Sequence, residues 1–385
     1  MSKLEKLIAE LCPDGVEYKS IREIAEVGTG NSNGNESVDN GLFPFFVRSQ
    51  TIKSKDDYEY DEEAIIIPGE GGIGEIFHYI NGKYALHQRV YRIHFIVEDI
   101  NTKFAYYYMQ AYFKPFILKK AVSATVTSIR KPMIEDFPLP VPPLPVQREI
   151  VRILDNFTEL TTELTAELTA RKKQYEFYRD KLLDFAGNTD VKNVPLGDIA
   201  KFVYGYTDKA KETGSVRFVR ITDISEDGRL NPYDAKYVEL TDESKKYLLK
   251  KGDLLLARTG ATYGKTLYFE EDEPAVYASF LIKIILDNSV IKNRYYWHFS
   301  KSSLYWEQAE RYVSKGGQQQ FNTNAVSRVI VPIPSLEVQD RIIYVLDNFD
   351  AICTDLSSGL PAEIEARQKQ YEYYRDKLLS FEEKI

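Results

Sequence analysis

The strongest constraint on the fold is a stretch that occurs twice, from Leu144 to Phe185 and again from Leu336 to Phe381. The copies share a nearly identical decapeptide, at Gln174–Leu183 and Gln370–Leu379. In the first copy, mainly apolar residues recur at alternate steps of three and four, which is the 3.5-residue period of a coiled coil. The sequence therefore predicts two long helices with one apolar seam each. The seam residues are Leu154, Phe157, Thr161, Leu164, Leu168, Arg171, Tyr175, Tyr178, Leu182 and Phe185, then Leu346, Phe349, Cys353, Leu356, Leu360, Ile364, Arg367, Tyr371, Tyr374, Leu378 and Phe381.

The second copy is longer than the first. Val146 and Val338 are 192 positions apart, whereas Phe185 and Phe381 are 196 apart. Most of the difference lies at Ser357–Pro361, where Gly and Pro disfavour a helix interior. Four extra residues shift a coiled-coil seam only slightly. We expect a kink or short break there, with a new helix beginning near Pro361.

The segments that precede the two helices resemble each other less closely. The apolar runs Ile65–Ile67 and Leu254–Leu256 are typical of buried strands, and the Pro-spaced segments Leu139–Pro142 and Val331–Pro334 lead into the long helices. We therefore predict a tandem repeat of a globular unit followed by a helix. The expected boundaries are an N-terminal helix at 1–15, a first globular domain at 16–143, a helix at 144–185, a hinge at 186–193, a second globular domain at 194–335 and a helix at 336–385.

Local patterns predict three further elements in the first half. Residues 2–12 read as an amphipathic helix, and Lys103–Lys120 as an aromatic-rich helix. Asn81-Gly82 suits a type I′ turn, so Ile76–Leu86 is predicted to form a β-hairpin.

Composition gives a mixed indication about partners. The net charge of −8 argues against a nucleic-acid ligand. However, Ile100–Ile134 contains six Lys or Arg residues and no acidic ones, and Ile291–Arg328 contains six against two. Local basic faces of this kind are compatible with binding a polyanion through part of the surface.

Other broad classes are disfavoured by the sequence. No apolar run approaches the roughly 20 residues of a membrane span, and the polar N-terminus is unlike a secretory signal, so we expect a cytoplasmic protein. Cys12 and Cys353 are expected to be reduced thiols. The four His residues have no Cys or carboxylate at ligand spacing, so no metal site is predicted.

Two Gly-rich loops partly match motifs that bind cofactors. Gly69–Gly74 fits G-x-G-x-x-G, but a predicted hairpin rather than a helix follows it. Gly260–Thr266 resembles a phosphate loop but has three residues between its glycines where four are required. We interpret both as the same tight turn in two copies, or as a backbone loop that approaches a phosphate or a base. No catalytic constellation is evident, and Asn231–Tyr233 has one Pro fewer than the Asn-Pro-Pro-Tyr element of amino-methyltransferases.

The polar loops Ser123–Lys131 and Lys315–Thr323 align with each other and are candidate DNA-reading segments. Asn and Gln can bond adenine, Arg can bond guanine, and Lys can contact phosphate. Solvated turns are the alternative for these loops, and core packing is the favoured interpretation of Tyr106–Tyr108 and Tyr295–Trp297. The candidate DNA-binding residues are Arg48, Gln50, Thr127, Arg130, Lys131, Arg217, Arg220, Thr222, Arg258, Lys315, Gln318, Gln319, Gln320 and Asn322.

Over essentially its whole length the sequence resembles the specificity subunits of type I restriction–modification systems. The resemblance is carried by two divergent globular units, each followed by a near-identical helix. Its motifs are Val146–Arg148, Leu154–Phe157, Arg171–Leu183 and the opening Leu11–Tyr18.

The resemblance implies an α+β protein in which two α/β target recognition domains are joined by two long antiparallel helices with pseudo-twofold symmetry. Each domain would read half of a split site in double-stranded DNA, and the helices would form a coiled-coil spacer. Two modification subunits, which carry S-adenosylmethionine and flip and methylate adenine, would dock on the helices, and restriction subunits could then join. The chain itself would bind no cofactor and have no activity. Two other functions stay open, namely a structural adaptor that binds proteins and a self-contained methyltransferase.

Overall fold

A computed structural model of the chain describes residues 3–120, 128–314, 319–355 and 357–384. Contacts divide the chain into two compact units, Met1–Glu163 with Glu365–Ile385, and Leu164–Ile364. Each unit combines helices and strands with part of the long helical segments. The predicted tandem repeat of mixed helix and strand is therefore confirmed. Seam residue Leu356 lies outside the described residues.

The first half of the chain contains the predicted N-terminal and aromatic-rich helices, α1 and α3. The elements in order are α1 (Lys3–Leu11), β1 (Tyr18–Ser20), α2 (Ile21–Ile24), β2 (Ala25–Thr29), β3 (Phe43–Phe46), β4 (Lys53–Lys55), β5 (Tyr60–Pro68), β6 (His78–Leu86), β7 (Val90–Phe95), α3 (Thr102–Lys120), α4 (Lys131–Glu135), β8 (Pro138–Pro140) and α5 (Leu144–Leu183).

The second half repeats this pattern with shorter strands and more breaks. Its elements are β9 (Lys192–Pro195), α6 (Leu196–Ile199), β10 (Ala200–Tyr204), β11 (Val216–Val219), β12 (Tyr237–Val238), β13 (Leu254–Ala257), β14 (Thr266–Tyr268), β15 (Ala275–Tyr277), β16 (Leu281–Leu286), α7 (Asn293–Phe299), α8 (Ser303–Tyr312), α9 (Thr323–Val326), β17 (Ile330–Ile333), α10 (Leu336–Thr354) and α11 (Leu360–Leu378).

Strand order shows that the two globular parts share one topology. The first unit has a sheet in the order β2-β7-β5-β6-β3-β4, and the second has β10-β16-β13-β14 beside a separate β12-β11-β15 sheet. β3 runs parallel to the second half of β6, as β11 does to β15. β6 thus corresponds to β14 and β15 together, which are separated by the acidic segment Glu270–Glu273. The antiparallel pair β1·β8 likewise corresponds to β9·β17.

The apolar runs that predicted central strands are buried on both faces of their sheets. Ile65 and Ile67 pack in one hydrophobic cluster with residues of α3 and α5, whereas Ile66 points to a second cluster. Leu254 and Leu255 divide in the same way. Alternation along a strand sends neighbouring side chains to opposite faces, so an unbroken apolar run fits a strand covered on both sides. The tyrosine-rich runs contribute to the same cores, as predicted, since Tyr107 and Tyr108 are buried and Tyr295–Trp297 is fully buried.

The predicted hairpin at Asn81-Gly82 is wrong. β6 runs without interruption through both residues, and Asn81 and Gly82 pair with Glu63 and Glu62 of β5. The turn between β5 and β6 is the Gly69–Gly74 loop instead, where Gly71, Gly72 and Gly74 have positive φ. Because β5 offers a partner along the whole length of β6, tertiary pairing overrides the local turn preference.

The long helical segment is continuous in the first copy and broken in the second, as predicted. α5 has 40 residues, whereas α10 ends at Thr354 and α11 begins at Leu360. Gly359 is required in the break, because a Cβ there would lie 2.6 Å from the carbonyl oxygen of Asp355 and 2.7 Å from that of Ala351. The Asp355 carboxylate accepts hydrogen bonds from Ser357, which lower the pKa of Asp355 and hold the turn.

Seam residues of the two helical segments contact each other within each unit. In the first unit the ring of Phe157 stacks on that of Tyr374, with 5.6 Å between centroids. In the second unit Phe349 stacks on Tyr178 at 5.5 Å. These pairs join equivalent positions of the repeat, so each unit holds its helices together through the same aromatic contact.

A buried glutamine joins each globular part to its helix in the same way. Gln147 accepts a hydrogen bond from the Asn101 N–H (2.8 Å) and donates to the carbonyls of Asp99 (2.7 Å) and Pro142 (2.6 Å). Gln339 accepts from the Lys292 N–H (2.9 Å) and donates to the carbonyls of Val290 and Pro334 (2.9 and 3.0 Å). Each amide thereby satisfies three backbone groups that burial would otherwise leave unbonded.

The aspartate of the repeated Leu-Asp-Asn-Phe motif makes a second contact of this kind. Asp155 accepts hydrogen bonds from Lys103 (2.8 Å) and Tyr107 (2.6 Å). Asp347 accepts from Arg294 (2.7 Å) and lies 2.7 Å from the Nε2 of His298. Burial lowers the pKa of His298 to about 4, so this imidazole is neutral near pH 7.

The second unit has a buried ion pair at a position where the first unit has uncharged side chains. Lys301 Nζ lies 3.0 Å from the Asp350 carboxylate, which is also bonded by Arg229. Burial would raise the pKa of Asp350, but the charges of Lys301 and Arg229 outweigh it and leave the pKa lowered. Counting from the equivalent residues Asn101 and Lys292, Gln110 takes the position of Lys301, and counting from Gln147 and Gln339, Thr158 takes the position of Asp350. The contacts between globular part and helix therefore use the same Gln and Asp positions in both units and differ in charge.

Candidate nucleic-acid interface

Three segments meet where the central strand of each sheet ends. In the first unit the N–H of Gly69 donates to the carbonyl of Arg89 (3.0 Å), and the carbonyl of Gly69 accepts from the N–H of Ile129 (2.7 Å). Gly69 follows β5, Arg89 lies between β6 and β7, and Ile129 belongs to the first candidate polar loop. The backbone thus brings together a strand end, a turn and a predicted DNA-reading segment.

The second unit has the same junction with other side chains. The N–H of Arg258 donates to the carbonyl of Phe280 (3.1 Å), and the carbonyl of Arg258 accepts from the N–H of Phe321 (2.7 Å). Arg258 follows β13, Phe280 precedes β16, and Phe321 lies in the second candidate polar loop. The alignment of the two Gly-rich loops and of the two polar loops is therefore consistent with the structure.

The segments after β3 and β11 reach the same edge. The His87 N–H donates to the carbonyl of Phe46 (3.0 Å), and the Ala278 N–H donates to the carbonyl of Val219 (2.8 Å). Arg48 and Arg220 follow these strands by one or two residues. In each unit the backbone of four segments thus meets at one edge of the sheet, and we define this edge as the junction face of that unit.

The junction face of the first unit carries two arginines held by one carboxylate. Glu70 accepts from Arg48 at 2.8 Å and from Arg89 at 3.2 Å. The Arg48 hydrogen bond, followed by that of Arg89, lowers the pKa of Glu70. All three side chains are substantially exposed, so the group has a net positive charge that solvent and ligands can reach.

Two arginines of the second unit are tied to their own loops instead. Arg220 bonds Asp223 at 2.7 Å and Asp234 at 3.3 Å, and Arg217 donates to the carbonyl of Asn231. These bonds give both residues a structural role in fixing the segment after β11. Arg258 differs, because its guanidinium contacts the rings of Tyr204 and Phe280.

The remaining candidates are either exposed or bonded to neighbouring residues. Gln50, Thr222, Arg130, Gln319 and Gln320 are exposed. A further pair has local partners: Lys131 lies 3.5 Å from Glu135 within α4, and the Asn322 side chain caps α9 by accepting from the Ala325 N–H (3.1 Å). Their role in binding DNA stays a prediction. Thr127, Lys315 and Gln318 lie outside the described residues.

Several residues of the junction faces escaped sequence reasoning. Glu70 lies in the Gly-rich loop, where it matches no motif. Arg89 and Phe280 lie in short turns, and the residues that they contact are distant in sequence. Tyr204 ends β10 and lies more than 50 residues before Arg258 in the sequence. No local pattern identifies these residues, because what joins them is the order of the strands in the sheet.

The described residues contain neither a cluster of metal ligands nor a membrane-spanning helix. No group of three or more His, Cys, Asp or Glu side chains in residues 3–120, 128–314, 319–355 and 357–384 could hold a metal ion. Within the same ranges, no helix is both long and apolar enough to cross a bilayer.

One protein family matches the chain twice. The family described as type I restriction modification DNA specificity domain matches residues 13–171 and 188–366. The two matches agree with the repeat that is seen in the strand order and in the backbone bonds at Gly69 and Arg258.

Individual relatives and solved structures agree with this match. A type I restriction enzyme specificity subunit of Haemophilus influenzae is 32% identical over 98% of each chain. The EcoR124I/EcoR124II specificity subunit of Escherichia coli is 31% identical over 63% of each chain. The crystal structure of the S subunit of a type I system from M. genitalium has a TM-score of 0.61 and 17% identity over 95% of this chain and 96% of its own. A chain from a study of complex assembly in the type I system has a TM-score of 0.64 and 13% identity, over 95% of this chain and 98% of its own.

Proposed function

Because this chain belongs to the type I restriction–modification DNA specificity family, we propose that it reads a bipartite DNA site, with one half-site bound by each junction face. One observation carries the proposal. The same backbone junction occurs in both units, at Gly69 and at Arg258, with different exposed side chains around it. A common frame with different polar groups suits two readers that use the same docking geometry on different base sequences.

We further propose that the long helices set the distance between the two readers. α5 starts in the first unit and ends in the second, and its 40 residues span about 60 Å at 1.5 Å per residue. The Phe157–Tyr374 and Tyr178–Phe349 stacks support an antiparallel coiled-coil pairing of α5 with α10 and α11. A stiff pair would fix the number of unread base pairs between the half-sites. The domain boundaries at 16–143 and 194–335 belong to this proposal.

The chemistry is proposed to reside in partner subunits. Two modification subunits would bind the helices, supply S-adenosylmethionine and methylate adenine, while this chain contributes recognition without catalysis. Restriction subunits would join the same complex, which we propose works in the cytoplasm, where its DNA lies. Support comes from the relatives, which are named as specificity subunits of type I restriction enzymes.

Reconstitution with the modification subunits of a type I system tests the proposal. The complex should methylate a mapped set of DNA sites that share two short motifs at a constant spacing. Its affinity should fall steeply with salt, because phosphate contacts release counterions. The chain alone, incubated with labelled S-adenosylmethionine and the same DNA, should transfer no label.

Two other outcomes would each identify one of the alternative functions. Label transfer by the chain alone would identify a self-contained methyltransferase. A stable complex without sequence-selective, salt-dependent DNA binding would identify a protein-binding adaptor. Either result would contradict the proposal.

A further inference from the structure

Arg258 is the position at which the two junction faces differ most in chemistry. The first unit has Gly69 at the corresponding point of the junction, and a glycine offers no side chain to a ligand. In the second unit a guanidinium projects from the same backbone position. An arginine fork can bond the O6 and N7 atoms of guanine in the major groove, a contact that a glycine cannot make.

The backbone of Arg258 is fixed on both sides. Its N–H and its carbonyl are used in the bonds to Phe280 and Phe321, and Phe321 is fully buried. The next residue, Thr259, forms an antiparallel bridge to Gln320. The start of the side chain is therefore held by the core of the sheet and not by a free loop.

Two aromatic rings and one carbonyl hold the side chain itself. The centre of the guanidinium lies 5.2 Å from the ring centroid of Tyr204 and 5.5 Å from that of Phe280, and Nε donates to the carbonyl of Ser279 at 3.2 Å. The Tyr204 hydroxyl lies 3.2 Å from Oγ1 of Thr323, at the start of α9. Arginine stacks well on aromatic faces, and such stacking restricts its rotamers.

The two terminal nitrogens are left available. Among the described residues, neither Nη1 nor Nη2 of Arg258 has a hydrogen-bond partner. The flanking rings stay open to solvent, with Tyr204 41% and Phe280 50% exposed. The other arginines of this face differ, since Arg220 uses Nη2 in bonds to Asp223 and Asp234, and Arg217 uses Nη2 in a bond to the carbonyl of Asn231.

We propose that Arg258, held by the clamp that Tyr204, Phe280 and the Ser279 carbonyl form, reads a guanine in the half-site bound by the second unit. The clamp presents a pre-oriented pair of donors, which is what bidentate recognition of guanine requires. Gly69 makes no equivalent contact in the first unit, so this guanine belongs to one half-site alone. The inference rests on the proposed function, because it assumes that the junction faces contact DNA.

Methylated-base mapping of complexes that carry Arg258→Ala, Arg258→Gly or Arg258→Lys tests the inference. One guanine of one half-site should become degenerate in all three, because even Lys lacks the planar fork, while the other half-site stays unchanged. Competition between the original site and a site altered at that base should show selectivity reduced about tenfold or more. Lys251→Ala is the matched control, since Lys251 precedes β13 at the end opposite Arg258 and pairs only with the exposed Asp272.

The outcomes distinguish this inference from the function on which it rests. If the unaltered complex shows no selective methylation, the proposed function fails. If the unaltered complex is selective but the Arg258 variants keep the full motif, Arg258 does not read a base. Equal loss of affinity for all sequences would assign Arg258 to a phosphate and also overturn the inference. Phe280→Leu, which removes one side of the clamp but keeps the arginine, should weaken selectivity for the same base and no other.

Discussion

Residues that join each globular part to its helix are of two kinds. Gln147 and Gln339 bond equivalent backbone groups in both units. Lys301 and Asp350, in contrast, occur in the second unit only. The shared contacts satisfy buried polar groups and preserve the frame, whereas the ion pair makes the second junction sensitive to charge.

We predict that this ion pair gives the second unit a distinctive response to pH. Burial lowers the pKa of Lys301 to about 8, below its ordinary value of 10.5. Between these values the unfolded chain binds more protons at this residue than the folded chain. The free energy of unfolding should therefore rise with pH in this window, by at most about 1.4 kcal/mol per pH unit. Urea unfolding at pH 8, 9 and 10 would measure it.

Lys301→Gln provides the comparison, because it installs the side chain found at the equivalent Gln110. The variant should lose the part of the pH response that belongs to Lys301. Lys245→Ala, which removes an exposed lysine, should keep the full response. An identical pH dependence for Lys301→Gln and the unaltered chain would show that Lys301 keeps an ordinary pKa.

How far the sequence predicts such residues depends on whether their partners are local. Asp155 and Gln147 belong to repeated motifs, so the sequence marked them without revealing their contacts. Arg258 was predicted to bind DNA, but its clamp was not, since Tyr204 and Phe280 reach it only through the order of strands. No sequence pattern marked Lys301 and Asp350, because the equivalent positions of the first unit hold different residues.

At the scale of elements, the long helices followed from periodicity and the break from composition. Both signals are local, and the backbone contacts that require Gly359 in the break are local as well. The prediction of a hairpin at Asn81-Gly82 was wrong for the opposite reason. The long strand β5 pairs with both residues, although locally they favour a turn. Strand pairing is decided by partners far along the chain, so short strands and their turns are less predictable than long helices.

Lengthening α5 tests the proposed spacer directly. The run Thr161–Leu168 consists of two Thr-x-Glu-Leu tetrapeptides within this helix. One more Thr-Ala-Glu-Leu inserted after Leu168 adds about 6 Å at 1.5 Å per residue. We expect the gap between half-sites to widen by about one to two base pairs, with both half-site sequences unchanged. Methylated-base mapping would measure the gap, and an unchanged gap would contradict the spacer.

At the scale of the whole molecule, the repeat explains why one chain can carry two specificities. The frame is duplicated in strand order, in the buried glutamines and in the aromatic helix contacts. The exposed side chains of the two junction faces have diverged, with Arg48, Glu70 and Arg89 in one and Arg258 with its aromatic clamp in the other. Each face can therefore change without disturbing the other, provided that its junction to the helices is kept.

Exchange of one recognition domain tests this account most directly. Residues 16–143 would be replaced by the corresponding domain of a relative with a different site, and the assembled complex would be mapped for methylated bases. We predict that one half-site changes to that of the donor, while the other half-site and the gap stay the same. A motif in which both half-sites change, or in which no two-part motif remains while methylation persists, would contradict the account.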